Sequence, residues 1–198
     1  MPELMPELMP ECSAAAASAQ PSVKAGAAAA PAMATMPGDR AAQTPACAQP
    51  LRVQPRDPAH PDAAALLAAL NAALAAITGC DGAASFHAQD VREAGAAFLV
   101  GYRGDMPVAC GGFRPLAPGV AEVKRVYARE RGMGAPLLAA LERLAAQQGY
   151  GRLVCETRRV NTRAVAFYLR AGYQECPPYG AYVGRPEAIC FEKYIGRT

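Results

Sequence analysis

The chain has 198 residues, with 20 Lys and Arg against 17 Asp and Glu, a formal net charge of +3 and only two His. That balance argues against nucleic acid as a partner on charge alone, and the scarcity of His argues against a His-rich metal site, so no metal is expected. Seven Cys, at 12, 47, 80, 110, 155, 176 and 190, form an odd set without a CxxC pair, which excludes a zinc ribbon by spacing, argues against a disulfide framework and points to a reduced, cytoplasmic setting.

All five Phe and eight Tyr lie at or after Phe86, whereas 11 of the 18 Pro fall within the first 62 residues. Residues 1–50 are rich in Ala, Pro, Ser and Met and cannot bury enough apolar surface to offset their ordering entropy. They are expected to be a disordered leader to a single domain over 51–198. Glu3, Glu7 and Glu11 replace the basic start of a secretory signal. Beyond soft alanine tracts there is no uninterrupted apolar run long enough for a membrane span, and no membrane partner is expected.

From Leu51 the pattern changes. Leu51 to Gln54 reads as a short strand, and the prolines at 58 and 61 with Asp57 and Asp62 supply helix-start chemistry. Leu66, Leu67, Leu70, Leu74 and Ile77 share one face of a helix over 63–77, ended by the Gly79–Gly82 segment. A hairpin follows, with strands over 97–102 and 107–113 and a turn at 103–105. Val120 to Ala128 is a strand, Ala135 to Gln148 an amphipathic helix and Arg152 to Glu156 a buried-type strand; Thr162 to Ala171 is a helix and Ala188 to Tyr194 a closing strand. The order β-α-β-β-β-α-β-α-β predicts an α/β fold in which the strands at 120 and 152 are parallel neighbours joined by a right-handed helical crossover.

The chemistry is concentrated in residues 122–138, read as strand, tight loop and helix. Gly132 and Gly134 allow close backbone approach, the helix start offers free N–H groups, and Arg129 and Arg131 add positive charge: together an anion site. No Gly-Lys-Ser/Thr follows, so this is not a Walker loop, and Leu137 stands where a dinucleotide fingerprint has its third glycine. Taken by itself, the loop is equally compatible with a simple chain turn.

The run Arg129-x-x-Gly132-x-Gly134, followed by Leu137-Leu138, resembles the acyl-CoA pyrophosphate loop of the GNAT superfamily of N-acetyltransferases. Asn161-x-x-Ala164-x-x-Phe167-Tyr168-x-x-x-Gly172-Tyr173 resembles that family's next signature, and the resemblance covers residues 51–195. It implies a GNAT-type mixed central β-sheet flanked by helices, and transfer of an acetyl group from acetyl-CoA to a primary amine by direct attack. It places cofactor contacts on Val126, Tyr127, Ala128, Arg129, Arg131, Gly132, Met133, Gly134, Ala135 and Asn161, the last also a helix cap. Backbone at Val126–Ala128 would pair with the pantetheine arm and stabilise charge building on the thioester oxygen.

The resemblance further puts a general acid at Tyr168 and a general base at Glu122, with Glu156 the second carboxylate. Strand alternation would place Glu122 on the same face as Val126. Tyr179, Tyr182 and Arg185 would border the acceptor cleft, and Arg158, Arg159 and Arg163 would attract the cofactor's phosphates. Cys110, Cys155, Cys176 and Cys190 are expected as small buried hydrophobes rather than nucleophiles. The connection from Ala128 to Arg129 is shorter than the family usually has, which favours the rival reading of a non-catalytic acyl-CoA-binding module; a homodimer is compatible with either.

Overall fold

The computed structural model describes residues 50–82 and 86–196; the expected disordered leader lies outside them apart from Pro50. Strand β1 (Arg52–Pro55) leads into α1 (Pro61–Thr78), a 3₁₀ turn (Ala88–Val91), β2 (Ala97–Arg103), β3 (Met106–Ala117) and β4 (Val120–Ala128). Then come α2 (Gly134–Gln147), β5 (Arg152–Arg158), α3 (Thr162–Arg170), β6 (Gln174–Cys176), a second 3₁₀ turn (Gly180–Tyr182) and β7 (Ala188–Tyr194). The expected order holds with one addition. The three residues of β6 are too few to show alternation, and they become a strand because β7 offers them a pairing edge.

The strands form one mixed sheet in the order β1-β2-β3-β4-β5-β7-β6. Its parallel pair is β4 with β5, as the crossover through α2 requires. Helix α1 begins at Pro61, is capped by the His60 side chain accepting from the Asp62 N–H, and stops at Gly79 in the left-handed conformation. Ala63 and Leu66 bury against Phe98, Val100, Tyr102 and Cys110 on one sheet face and Leu70 is also buried, while Ile77, expected in that stripe, is 43% exposed in the last turn. With 18 residues and a mean hydropathy of 1.5, α1 is long and apolar enough by length and composition to cross a membrane. Much of that hydropathy is alanine, and three of its side chains are buried. Helices α2 and α3 cover the opposite face, where Leu137, Leu138, Leu141 and Tyr168 pack on Phe113, Leu153 and Phe191.

A β-bulge in β4 decides what this sheet can do. Cys110 pairs with Tyr127 but Gly112 with Lys124, so Arg125 and Val126 together stand against Gly111. Arg125 takes φ 58°, the one non-glycine residue with positive φ among those described. An extra residue inverts the inside–outside parity beyond it. Val126 therefore packs with Ala121 and Val123 on the α2 face, while Glu122 and Lys124 face the other way. The expectation that Glu122 and Val126 share a face fails for this reason. Gly111 is required opposite the bulge, since a Cβ there would sit 3.0 Å from Leu141 Cδ1 and 3.2 Å from Val126 Cγ2.

The bulge also parts the parallel strands. β4 and β5 pair only over Val120–Glu122 and Arg152–Val154. Beyond that point β4 follows β3, and β5 from Cys155 to Arg158 follows β7. The Arg125 side chain secures the distortion: it donates to Asn71 Oδ1 and to the Gly82 carbonyl, each at 2.9 Å, and lies 5.1 Å from the Phe86 ring centroid.

Arg125→Gly and Arg125→Val both remove those guanidinium contacts, so the difference between them isolates the backbone. Glycine adopts the left-handed region freely and valine does not, so the valine variant should unfold in urea with a stability lower by about 1–3 kcal/mol. Equal stabilities would show that the bulge does not depend on the backbone conformation at 125.

Candidate active site

Residues 129–133 alone join β4 to α2. The Arg129 N–H still donates to the Val108 carbonyl at 2.8 Å, extending the β3 ladder, so the short connection is absorbed before the helix begins. In the first turn of α2, Gly134 and Ala135 have no intrahelical acceptor for their N–H groups, and Pro136 has no N–H. That turn contains no acidic residue. Glu130 is neutralised by Arg103 at 2.7 Å, leaving Arg129 and Arg131 exposed beside the helix start. This is an anion site by dipole, donors and charge together.

The two loop glycines have different uses. Gly132, at φ 84°, faces open space. A Cβ on Gly134 would meet Phe167 Cε2 at 3.2 Å, so its missing side chain serves the packing of α2 on α3. Met133 packs against the core and offers only backbone to the loop's outer side. Asn161 caps α3, its Oδ1 accepting from the Ala164 N–H at 3.2 Å.

Tyr168 is buried on the α3 face, stacked on Phe191 with centroids 5.8 Å apart and edge-on to Tyr173 at 5.4 Å. It shares the core on this face with Cys155, at the point where β5 leaves β4. Burial pushes both groups up, the phenol well above its ordinary value, so the proton stays on Tyr168 Oη throughout the neutral range.

On the opposite face Glu122 is 2% exposed and every oxygen is engaged. Oε2 accepts from Arg114 Nε at 2.9 Å and lies 2.8 Å from Arg114 Nη2, so both guanidinium nitrogens converge on one oxygen. Oε1 accepts from Lys124 Nζ at 3.3 Å, the Tyr179 hydroxyl at 3.2 Å and the Tyr182 hydroxyl at 3.1 Å. Arg114 also pairs with Asp90 at 2.6 Å, and Lys124 donates to the Tyr182 oxygen at 2.9 Å. Burial pulls the Lys124 ammonium down; burial and then the Glu122 charge push both tyrosines far above the usual phenol range.

Glu156 shares this face, because its β7 partner is Cys190 and its neighbour Val154 pairs with Glu122. It makes no hydrogen bond or ion pair to the other described residues. Burial raises its pKa against the opposing pull of Lys124 and Arg158. Of the three residues expected to border the acceptor cleft, Tyr179 and Tyr182 both bond Glu122, whereas Arg185 is exposed. Arg114, Lys124 and Asp90 were missed: each reads as an ordinary strand or turn charge until the hairpin register brings Arg114 opposite Glu122. Among the described residues no three His, Cys, Asp or Glu side chains group as metal ligands.

Residues 66–173 match the model of the acetyltransferase (GNAT) family. A protein named IAA acetyltransferase from Azospirillum brasilense is 32% identical over 101 residues, which are 48% of this chain and 66% of that protein's length. The fold matches a structure from Klebsiella pneumoniae assigned as an acyl-CoA N-acyltransferase, with TM-score 0.62 and 28% identity over 74% of this chain and 98% of the other. It also matches a ribosomal-protein-alanine N-acetyltransferase from Brucella melitensis, with TM-score 0.55 and 22% identity over 72% and 99% of the two chains; at that identity the likeness concerns the fold alone.

The Glu122 cluster yields a stability test. Arg114→Met strips two of the carboxylate's donors and leaves a buried charge short of partners, which should cost about 3 kcal/mol or more in denaturant unfolding. Arg114→Met combined with Glu122→Gln should recover part of that loss. A single Arg114→Met variant as stable as the parent would show that the pair is not buried in solution.

Proposed function

Because the chain belongs to the GNAT acetyltransferase family, we propose that it moves an acetyl group from acetyl-CoA to a primary amine of a small molecule or peptide, by direct attack of the amine on the thioester. The observation that carries this reading is the gap between β4 and β5, which opens at the Arg125 bulge and joins the Tyr168 face of the sheet to the Glu156 face. The residues present fit the cofactor: an unpaired β4 edge at one end and the charged, acid-free start of α2 at the other. When bound, acetyl-CoA supplies an activated acyl thioester and an extended, amide-bearing arm suited to pairing with a strand edge.

Each residue then has a defined task. Backbone N–H groups between Val126 and Ala128, on the edge turned from β3, hold the thioester oxygen. The N–H groups of Gly134 and Ala135, with Arg129 and Arg131, hold the pyrophosphate. Tyr168 keeps its proton on Oη and turns it toward the departing sulfur. A phenol pushed up by burial stabilises that sulfur chiefly as a hydrogen-bond donor.

The proton of the amine goes to Glu156 rather than to Glu122. Glu122 has two nitrogens of Arg114, Lys124 and two tyrosine hydroxyls already bound to its oxygens, and an acceptor so saturated has no lone pair to spare. Its task is to hold Tyr179 and Tyr182 over the cleft. Glu156 is free of such bonds, and its raised pKa suits a base.

A panel of amines assayed for thiol release from acetyl-CoA tests the reaction. Tyr168→Phe should bind acetyl-CoA as the parent does, yet turn over slower by roughly 10²–10⁴-fold. The parent rate should rise with pH as Glu156 ionises, with a midpoint above the ordinary carboxylate value of 4.5, and Glu156→Gln should lose that limb while Glu122→Gln keeps it. Tight acetyl-CoA binding without thiol release for any amine would instead support the non-catalytic binding module. Loss of the limb in Glu122→Gln alone would return the base to Glu122.

A further inference from the structure

Strand β6 lies at the sheet edge, and its last residue, Cys176, stands directly opposite Cys190 of β7. Opposed residues of an antiparallel pair have Cα atoms about 4.5–5.5 Å apart and side chains on one face, and a disulfide accepts Cα separations of about 4.4–6.8 Å. The edge position lets β6 make the small inward shift that bonding distance between the sulfurs needs. Cys155 faces the other side of the sheet, toward Tyr168, and Cys110 lies under α1, so neither competes for this partner. Cys176 is partly exposed and Cys190 is 1% exposed, which makes Cys176 the sulfur an oxidant reaches first.

The pair also touches the acceptor side of the cleft. Cys190 stands opposite Glu156 of β5. Two residues separate Cys176 from Tyr179, whose hydroxyl, with that of Tyr182, is bonded to Glu122.

We propose that Cys176 and Cys190 are a modification site, oxidised by peroxides to a reversible cross-strand disulfide that fixes the 177–187 segment over Glu122. In the first step one peroxide oxygen passes to the Cys176 sulfur as the O–O bond breaks, giving a sulfenic acid and water or an alcohol. In the second, the Cys190 sulfur attacks that sulfur, the S–S bond forms as the S–O bond breaks, and hydroxide leaves with the Cys190 proton as water. The two electrons given up by the thiols reduce the peroxide, and a dithiol reductant returns both cysteines. Burial holds the Cys176 thiol up at about 11, so the first step should accelerate about tenfold per pH unit through the neutral and mildly alkaline range.

The test uses the full reduced chain treated with hydrogen peroxide at mildly alkaline pH, alkylated and mapped by mass spectrometry. The expected product is a Cys176–Cys190 linked peptide that disappears on dithiothreitol treatment and is absent from Cys176→Ala. In Cys190→Ala, Cys176 should proceed to sulfinic acid for want of a resolving thiol. Amide exchange over 177–187 should be slower in the oxidised chain than in the reduced one. Cys176 remaining a thiol, reaching sulfinic acid in the unaltered chain, or pairing with a different cysteine would overturn the proposal, as would unchanged exchange over 177–187. None of these readouts depends on acetyl transfer, so they stand or fall apart from the proposed reaction.

Discussion

The bulge at Arg125 is the constraint on which the rest of the molecule depends. A nine-residue β4 without it would pair with β5 along its length and close the sheet. One extra residue changes three things together: it ends the parallel ladder after Glu122, inverts the facing of everything beyond, and bends the strand toward β3. The cost is a non-glycine residue in left-handed backbone and a glycine opposite it. The guanidinium contacts of Arg125 to Asn71 and Gly82 tie the distorted strand to α1 and the segment after it, so the opening is held from its flank and not only by its own ladder.

The opening joins two unlike environments. On the α3 face, aromatic rings around Tyr168 exclude water and keep its phenol protonated. On the other, Glu122 and Asp90 are matched by Arg114 and Lys124, with two tyrosines completing the hydrogen bonds. A buried cluster so closely balanced is a rigid floor rather than a proton store, because any change in one charge strands another. The neighbouring Glu156 escapes that network, and a half-buried carboxylate without an ion-pair partner is poised to exchange a proton. The proposed acid, Tyr168, and the proposed base, Glu156, thereby lie on opposite sides of the sheet.

Much of this was legible in the sequence, for identifiable reasons. The α2 stripe of Leu137, Leu138 and Leu141 and the alternation from Val120 fixed the crossover, and the parallel pairing followed from topology. The glycine loop and Asn161 were found where their backbone chemistry placed them. The bulge was not legible. It lies inside a run of good strand formers, its left-handed residue is an arginine rather than a glycine, and its cause is distributed over Gly111, Asn71 and Gly82, far apart in the chain. The facing of Glu122 was misread for that reason alone. Its saturation by Arg114, Tyr179 and Tyr182 was hidden because hydrogen bonds across a sheet are set by register, which composition does not encode. Strand β6, and with it the Cys176–Cys190 opposition, was missed because three residues carry no period.

The central claim is that the bulge holds open a gap in which the β4 edge and the start of α2 receive acetyl-CoA. Residue-resolved amide hydrogen exchange with and without acetyl-CoA tests it most directly. The account predicts new protection between Val126 and Ala128 and across Gly132–Ala135, with the β1–β2 ladder unchanged. Saturating acetyl-CoA that protects neither segment, or that protects a surface remote from both, would contradict it.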